Sequence, residues 1–278
     1  PSMASEPRQW HIGPSSPHAA DVAAFNRDGF VVLRGVFSTA EVRGLRSALA
    51  DCVKTAMAHG GSYPAGSGGG PVWQVVSPHV HVASVMTALR TPRLAAAAAA
   101  CLGATGLQLL QDVLLLKPAH VGGRIDWHQD HTYTGYFSPP NLLSIRIALG
   151  TENPKNGGLR VLQGSHRWPT TTEDSFGSTE LAPDALAAVR EAMGASLVAD
   201  AERSVDLAAG DVSLHHCRTL HCSGDNESAC DRLTVVAHAF DATATLVTDA
   251  LPATLTHRFV TDDAGRLCAV AFPRLFPT

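Results

Sequence analysis

Apolar positions change their spacing several times along the chain, and each change marks an element. Between His18 and Arg27, Ala20, Val22, Ala23 and Phe25 recur at helical spacing, and Gly29 closes the segment. Residues 30–36 are β-branched, apolar and bounded by glycine, the mark of a strand. Ser38, with Glu41 three positions later, forms a capping box for a helix running to about Ala58, whose buried stripe is Val42, Leu45, Leu49 and Val53. The glycine-rich run between His59 and Pro71 carries no apolar period and reads as a loop, a candidate lid over a pocket. Residues 94–102, with six consecutive alanines, form a helix by propensity alone.

Beyond this point strands dominate. Residues 107–117, the segment around His128, and residues 142–150, 159–162, 197–207, 211–216 and 233–240 read as strands, with a helix inserted over 182–193 after an acidic run. No composition break is large enough to separate a second domain. The expectation is a flexible N-terminal arm over 1–16 and one domain over 17–278, mainly β with α, its helices forming an N-terminal supporting layer.

Composition narrows the function classes. The 278 residues are 45% hydrophobic, ample for a core, and the net charge of −4 argues against nucleic acid or an anionic membrane as the main partner. No signal-peptide pattern and no apolar run near ~18 residues is present, so a cytoplasmic protein with a small-molecule substrate is expected. The six cysteines contain no Cys-x-x-Cys pair and read as reduced thiols, with zinc through Cys217, Cys222 and Cys230 as a weakly supported alternative.

The candidate chemistry starts at Trp127-His128-Gln129-Asp130-His131. On an extended strand, positions i and i+2 share a face, so His128 and Asp130 can grip one ion. A third ligand is needed, and the segment from Gly210 to Asn226 offers His215, His216 and His221. His215 and His216 alternate on a strand, so one of them faces inward; His221 is preferred because the Ser-Gly-Asp-Asn turn and Arg232, eleven residues on, follow it. Two histidines and one carboxylate on one side of an ion leave open positions opposite, the facial set of non-haem Fe(II) oxygenases. Lys117 ends an apolar strand and is either an exposed strand end or an anion contact. His79 and His81 are read as surface or lid residues and His166 as structural.

Four features together, His128-Gln129-Asp130 after Trp127, the run from Asn156-Gly157-Gly158 to Ser165-His166, His221 to Asn226, and Arg232, make the chain resemble the phytanoyl-CoA dioxygenase family from about Phe25 to Phe240. The resemblance implies a double-stranded β-helix, the cupin-like jelly-roll, and an Fe(II)- and 2-oxoglutarate-dependent oxygenase using O2, with succinate and CO2 as co-products. His128, Asp130 and His221 would hold the iron. Arg232 would bind the distal carboxylate of 2-oxoglutarate, Ser223 would add a hydroxyl, and Lys117 lies where the family has a lysine. Arg146 stands where many relatives carry an aromatic, so it either reaches the pocket as a further anion contact or the strand is shifted. Trp73, Trp127, Gln129, His131, Tyr133 and Tyr136 are candidate substrate contacts, and each is equally a packing residue.

Asp130 favours oxygen insertion over halogenation, because the related halogenases lack this carboxylate. Hydroxylation of a small metabolite in natural-product tailoring is the default reading, with desaturation, epoxidation or cyclisation using the same residues. The rivals are a non-catalytic metal-binding jelly-roll, sensor or structural, and a cupin-type enzyme that needs no 2-oxoglutarate.

Overall fold

The structure, a computed structural model, describes residues 18–59, 62–63, 70–131, 137–168, 185–247, 261, 266, 268 and 272–277. The expected arm over 1–16, nearly all of the glycine-rich run, Tyr133, Tyr136 and the acidic run before residue 185 lie outside the described residues.

The N-terminal part consists of α1 (Ala19–Asp28), β1 (Phe30–Leu33), α2 (Thr39–His59), β2 (Ser62–Tyr63), β3 (Val72–Val76), α3 (Ala83–Leu89) and α4 (Pro92–Leu102). Then come β4 (Leu107–Lys117), β5 (Ile125–His128), β6 (Phe137–Ser138), β7 (Leu142–Ala148) and β8 (Leu159–Leu162). The remainder is α5 (Ala185–Met193), α6 (Ala195–Ala201), β9 (Glu202–Val205), β10 (Val212–His216), β11 (His221–Ser223), β12 (Arg232–Asp241), β13 (Thr245–Leu246) and β14 (Arg274–Phe276).

Local chemistry accounts for the helix ends. Gly29 closes α1 at φ 82°, where a Cβ would strike His166 and Thr219, so both the backbone and the packing require glycine. The capping box is present: Glu41 accepts from the Ser38 amide at 2.7 Å, and Ser38 Oγ accepts from the Glu41 amide at 3.3 Å.

Two antiparallel sheets form the body. The larger runs β1-β10-β7-β12-β4-β3-β2, with β14 also on β4, and the smaller runs β5-β11-β8-β9. In chain order the core strands switch sheets: β4 larger, β5 smaller, β7 larger, β8 and β9 smaller, β10 larger, β11 smaller, β12 larger. That alternation winds a double-stranded β-helix, as expected. The larger sheet has two distinct faces, set by the period of two along each strand. One face carries Leu143, Ile145, Ile147, Leu214, Val235 and Ala237 against Phe25, Leu49, Leu94 and Ala97 of the helices, and this is the main core. The opposite face carries polar residues in register: His215 opposite Ser144, Ser144 opposite His238, and His238 opposite Gln111.

Several elements differ from expectation. Residues 197–207 are not one strand, because α6 runs to Ala201 and only Glu202–Val205 is extended. Alanine-rich Ala195–Ala201 favours helix, and its Leu-Val pair imitates a strand. The first strand stops at Leu33, since Gly35 turns at φ 56°. β3 and α3 were not anticipated. No described helix is long and apolar enough to cross a membrane.

Candidate metal centre

Strand pairing assembles the centre. β11 lies between β5 and β8, and its register sets His221 opposite His128, with ring centroids 4.1 Å apart. Asp130 sits two residues past the end of β5, so the chain turns to deliver the carboxylate instead of keeping the extended spacing expected. Its Oδ1 lies 3.7 Å from His128 Nε2 and 3.6 Å from His221 Nε2. One donor atom from each of the three residues falls within 4.8 Å of the others, and among the described residues this is the group able to hold a metal ion.

Proton placement follows from the neighbours. His128 Nδ1 lies 2.7 Å from the Asp126 carbonyl and His221 Nδ1 2.9 Å from the Thr219 carbonyl. A carbonyl only accepts, so both Nδ1 atoms carry hydrogen and both Nε2 lone pairs face Asp130 Oδ1. Thr219 is itself seated by its hydroxyl, which donates to the Gly29 carbonyl at 2.8 Å.

The other oxygen of Asp130 meets a different set. Ser144 Oγ donates to Oδ2, His215 Nε2 lies 3.3 Å from it and His238 Nε2 3.6 Å. Gln111 Nε2 donates to His238 Nδ1 at 3.1 Å, which leaves the His238 proton on Nε2. Burial alone would raise the Asp130 carboxyl, but His221, His238 and His215 outweigh it and hold the group well below the ordinary carboxylate range. Burial pushes the His221 and His215 imidazoles below their ordinary range. In the sequence His215 reads only as a rival ligand, and nothing singles out Ser144, His238 or Gln111. The signal was the register, since these four occupy one row across four strands.

A cavity of about 300 Å³ opens beside the triad, its wall including Gln74, Gln111, Val113, Ile125, Arg146 and His238. Further along the same strands lies a buried cluster of charge. Arg146 reaches the cavity, and its Nε and Nη2 lie 2.8 and 2.7 Å from Glu152 Oε2. Thr234 Oγ1 donates to the other Glu152 oxygen at 2.5 Å. Arg232 is 1% exposed; Nη1 donates to the Gly157 carbonyl, while Nε and Nη2 have no partner. Burial, then the like charge of Arg146, pushes Arg232 down to about 9. Two orphaned donors on one buried fork are what a carboxylate satisfies.

Lys117 is not an exposed strand end. Its side-chain nitrogen is fully buried and lies 3.1 Å from Ser223 O, 2.7 Å from Ser223 Oγ and 2.6 Å from Gly224 O, tying β4 to the residues just past His221. Burial, then Arg232 and Arg146, pushes Lys117 down to about 6. Gly157, which presents its carbonyl to Arg232, stands at φ 70° with a would-be Cβ 2.3 Å from the Gly224 carbonyl. Gly157→Ala is therefore expected to cost about 2 kcal/mol or more, from left-handed strain and the clash. The thermal midpoint should fall by roughly 4–8 °C; an unchanged midpoint would show that this turn relaxes freely.

Of the other expected contacts, the described Trp73, Trp127, Gln129 and His131 do not line the cavity. Trp127 packs with α5 and α6 and lies under Arg160 at 5.7 Å, while Gln129 Nε2 donates to the Arg218 carbonyl at 2.6 Å. The His131 amide donates to the Cys217 carbonyl at 2.8 Å, and Trp73 packs against the main core. His79 Nδ1 pairs with buried Asp112 at 2.5 Å, and His166 Nε2 lies 3.2 Å from the Asn26 carbonyl. All six cysteines are unpaired thiols, and Cys217, Cys222 and Cys230 do not gather as a metal group among the described residues.

The family profile described as phytanoyl-CoA dioxygenase matches residues 25–234. The chain belongs to the phytanoyl-CoA dioxygenase family. An ectoine dioxygenase of Bordetella parapertussis is 31% identical over 153 residues, which are 54% of this chain and 49% of that protein. The chain thus spans about half the length of the curated relatives it matches. Among solved structures, the epimerase SnoN in complex with Fe3+, alpha ketoglutarate and nogalamycin RO superposes with a TM-score of 0.70 at 26% identity, covering 94% of this chain and 100% of that one. The carbocyclase SnoK from nogalamycin biosynthesis gives a TM-score of 0.71 at 22% identity over 91% of this chain and 94% of that chain, a likeness of fold. The donor set found here, two imidazole lone pairs and one carboxylate oxygen, suits Fe(II), and the orphaned fork of Arg232 suits a dicarboxylate such as 2-oxoglutarate.

Proposed function

We propose that this chain is a single-domain Fe(II)- and 2-oxoglutarate-dependent oxygenase that hydroxylates a small metabolite, as a tailoring step in secondary metabolism. The supporting observation is the convergence of His128 Nε2, His221 Nε2 and Asp130 Oδ1 beside a cavity whose strands lead to Arg232. Bound Fe(II), with 2-oxoglutarate and O2, supplies an oxidant for an unactivated C–H bond and releases succinate and CO2.

The chain's own residues bind, orient and exclude water. His128, Asp130 and His221 hold the metal, each imidazole locked through Nδ1 by a backbone carbonyl. Arg232 binds the distal carboxylate of the cosubstrate, and Arg146, held by Glu152, adds positive charge at the cavity wall. Lys117 and Ser223 serve this site by fixing the backbone after His221. Val113, Leu115, Ile125, Leu159 and Val236 give the cavity a largely apolar wall that keeps water from the substrate carbon. Six unpaired thiols suit a cytoplasmic setting. The relatives named above support a small-molecule substrate, and their epimerase and carbocyclase names make ring formation or epimerisation the leading alternatives to hydroxylation.

Anaerobic titration of the Fe(II)-loaded protein with 2-oxoglutarate tests this reading. A visible metal-to-ligand charge-transfer band that saturates, followed by succinate release in air, is the expected result. Tight metal binding without the band would favour a non-catalytic metal-binding jelly-roll.

A further inference from the structure

Asp130 is approached by four imidazoles, and the four are not alike. On the Oδ1 side, His128 and His221 present lone pairs, because both Nδ1 protons are committed to carbonyls at 2.7 and 2.9 Å. On the Oδ2 side the groups are donors. Ser144 Oγ donates to Oδ2; His215 turns Nε2 to it at 3.3 Å; and His238 turns Nε2 to it at 3.6 Å, with its Nδ1 already accepting from Gln111. A carboxylate that kept both oxygens for a cation would meet lone pairs or open space on both sides, not three donors on one. Ser144, His215 and His238 come from three neighbouring strands, β7, β10 and β12, paired at this row, so the donors are held by sheet register rather than by a loop.

We propose that Ser144, His215 and His238 are positioning residues that restrict Asp130 to one-oxygen coordination. The consequence for the centre is an open position. A carboxylate binding through two oxygens would occupy a site that the cosubstrate or O2 requires, and the three donors prevent this by engaging Oδ2. Gln111 belongs to the same device at one remove, since its amide fixes which His238 nitrogen bears the proton and its side chain lies in the cavity wall. This inference rests on the assignment of His128, Asp130 and His221 as metal ligands.

The test uses the full chain loaded with Co(II) in place of Fe(II), without cosubstrate, reading both the dissociation constant and the visible d–d absorption, which falls in intensity as coordination number rises. Ser144→Ala and His238→Leu are expected to weaken Co(II) binding by about 10–100-fold, the range for losing an outer hydrogen-bond partner of a ligand. Both should also change the position and intensity of the d–d bands, as the second Asp130 oxygen takes a position that water holds in the parent protein. His238→Gln, which returns an amide N–H near the place of Nε2–H, should restore both readings toward the parent protein, a rescue that a merely structural role for the ring would not produce. Parent-like affinity and spectrum in both Ser144→Ala and His238→Leu would overturn the proposal while leaving the ligand assignment intact. Failure of the unaltered protein to bind Co(II) would instead remove the assignment on which it rests.

Discussion

His221→Ala is expected to weaken Fe(II) binding by more than about 100-fold, beyond the range typical of outer hydrogen-bond partners, and to abolish 2-oxoglutarate-dependent succinate formation. Three donor atoms within 4.8 Å become two, and the pairing of His221 with His128 that brings β5 and β11 to one ion is lost. His216→Ala is the matched control. That ring is next to His215 on β10, but its Nδ1 accepts from the Arg218 amide at 3.1 Å and it takes no part in the three-residue group. Metal affinity measured by anaerobic equilibrium dialysis should separate the two variants cleanly. Loss in His216→Ala with retention in His221→Ala would overturn the ligand set and the register together.

Arg232→Ala should raise the dissociation constant for 2-oxoglutarate steeply while leaving that for Fe(II) nearly unchanged. Truncating one partner of a desolvated charge pair costs roughly 2–5 kcal/mol, which is about 30-fold to a few thousand-fold in affinity. Arg232→Lys keeps a charge but loses the planar fork, so it should fall between. The stability of the metal-free protein gives an independent check. Arg232 is buried with two donors unpaired and shares the single Glu152 carboxylate with Arg146, so its buried charge is only partly compensated, which is itself destabilising. Arg232→Ala is therefore expected to leave the thermal midpoint unchanged or to raise it, even as cosubstrate binding collapses. A large drop in the midpoint with cosubstrate affinity preserved would make Arg232 a structural residue.

Much of the framework was legible in the chain. Short-range signals survived well: the capping box at Ser38, the glycine closing α1 and the strand over 107–117 all depend on neighbours in sequence. His221 could be singled out as a candidate because the turn after it and the distance to Arg232 are also local. What could not be read depends on sheet register. Ser144, His215, His238 and Gln111 lie far apart in sequence and meet only because four strands pair at one row. The burial of Lys117 was likewise invisible, since its three acceptors lie on residues 223 and 224. The Arg146–Glu152 pair spans only six positions, yet nothing in the spacing shows that both side chains turn inward. The helix Ala195–Ala201 was misread because a Leu-Val pair suggests strand while the alanines around it decide for helix.

The hydrogen bond from the Thr219 hydroxyl to the Gly29 carbonyl spans 190 positions of the chain, and the Thr219 carbonyl in turn orients His221. The boundary of a fragment that keeps His221 oriented is therefore set by this bond as well as by the three site residues. A chain begun after residue 30 keeps His128, Asp130 and His221 but loses the carbonyl on which Thr219 rests. A shortened or fused version that preserves all three side chains by identity still lacks this support for His221 unless it begins at or before Gly29.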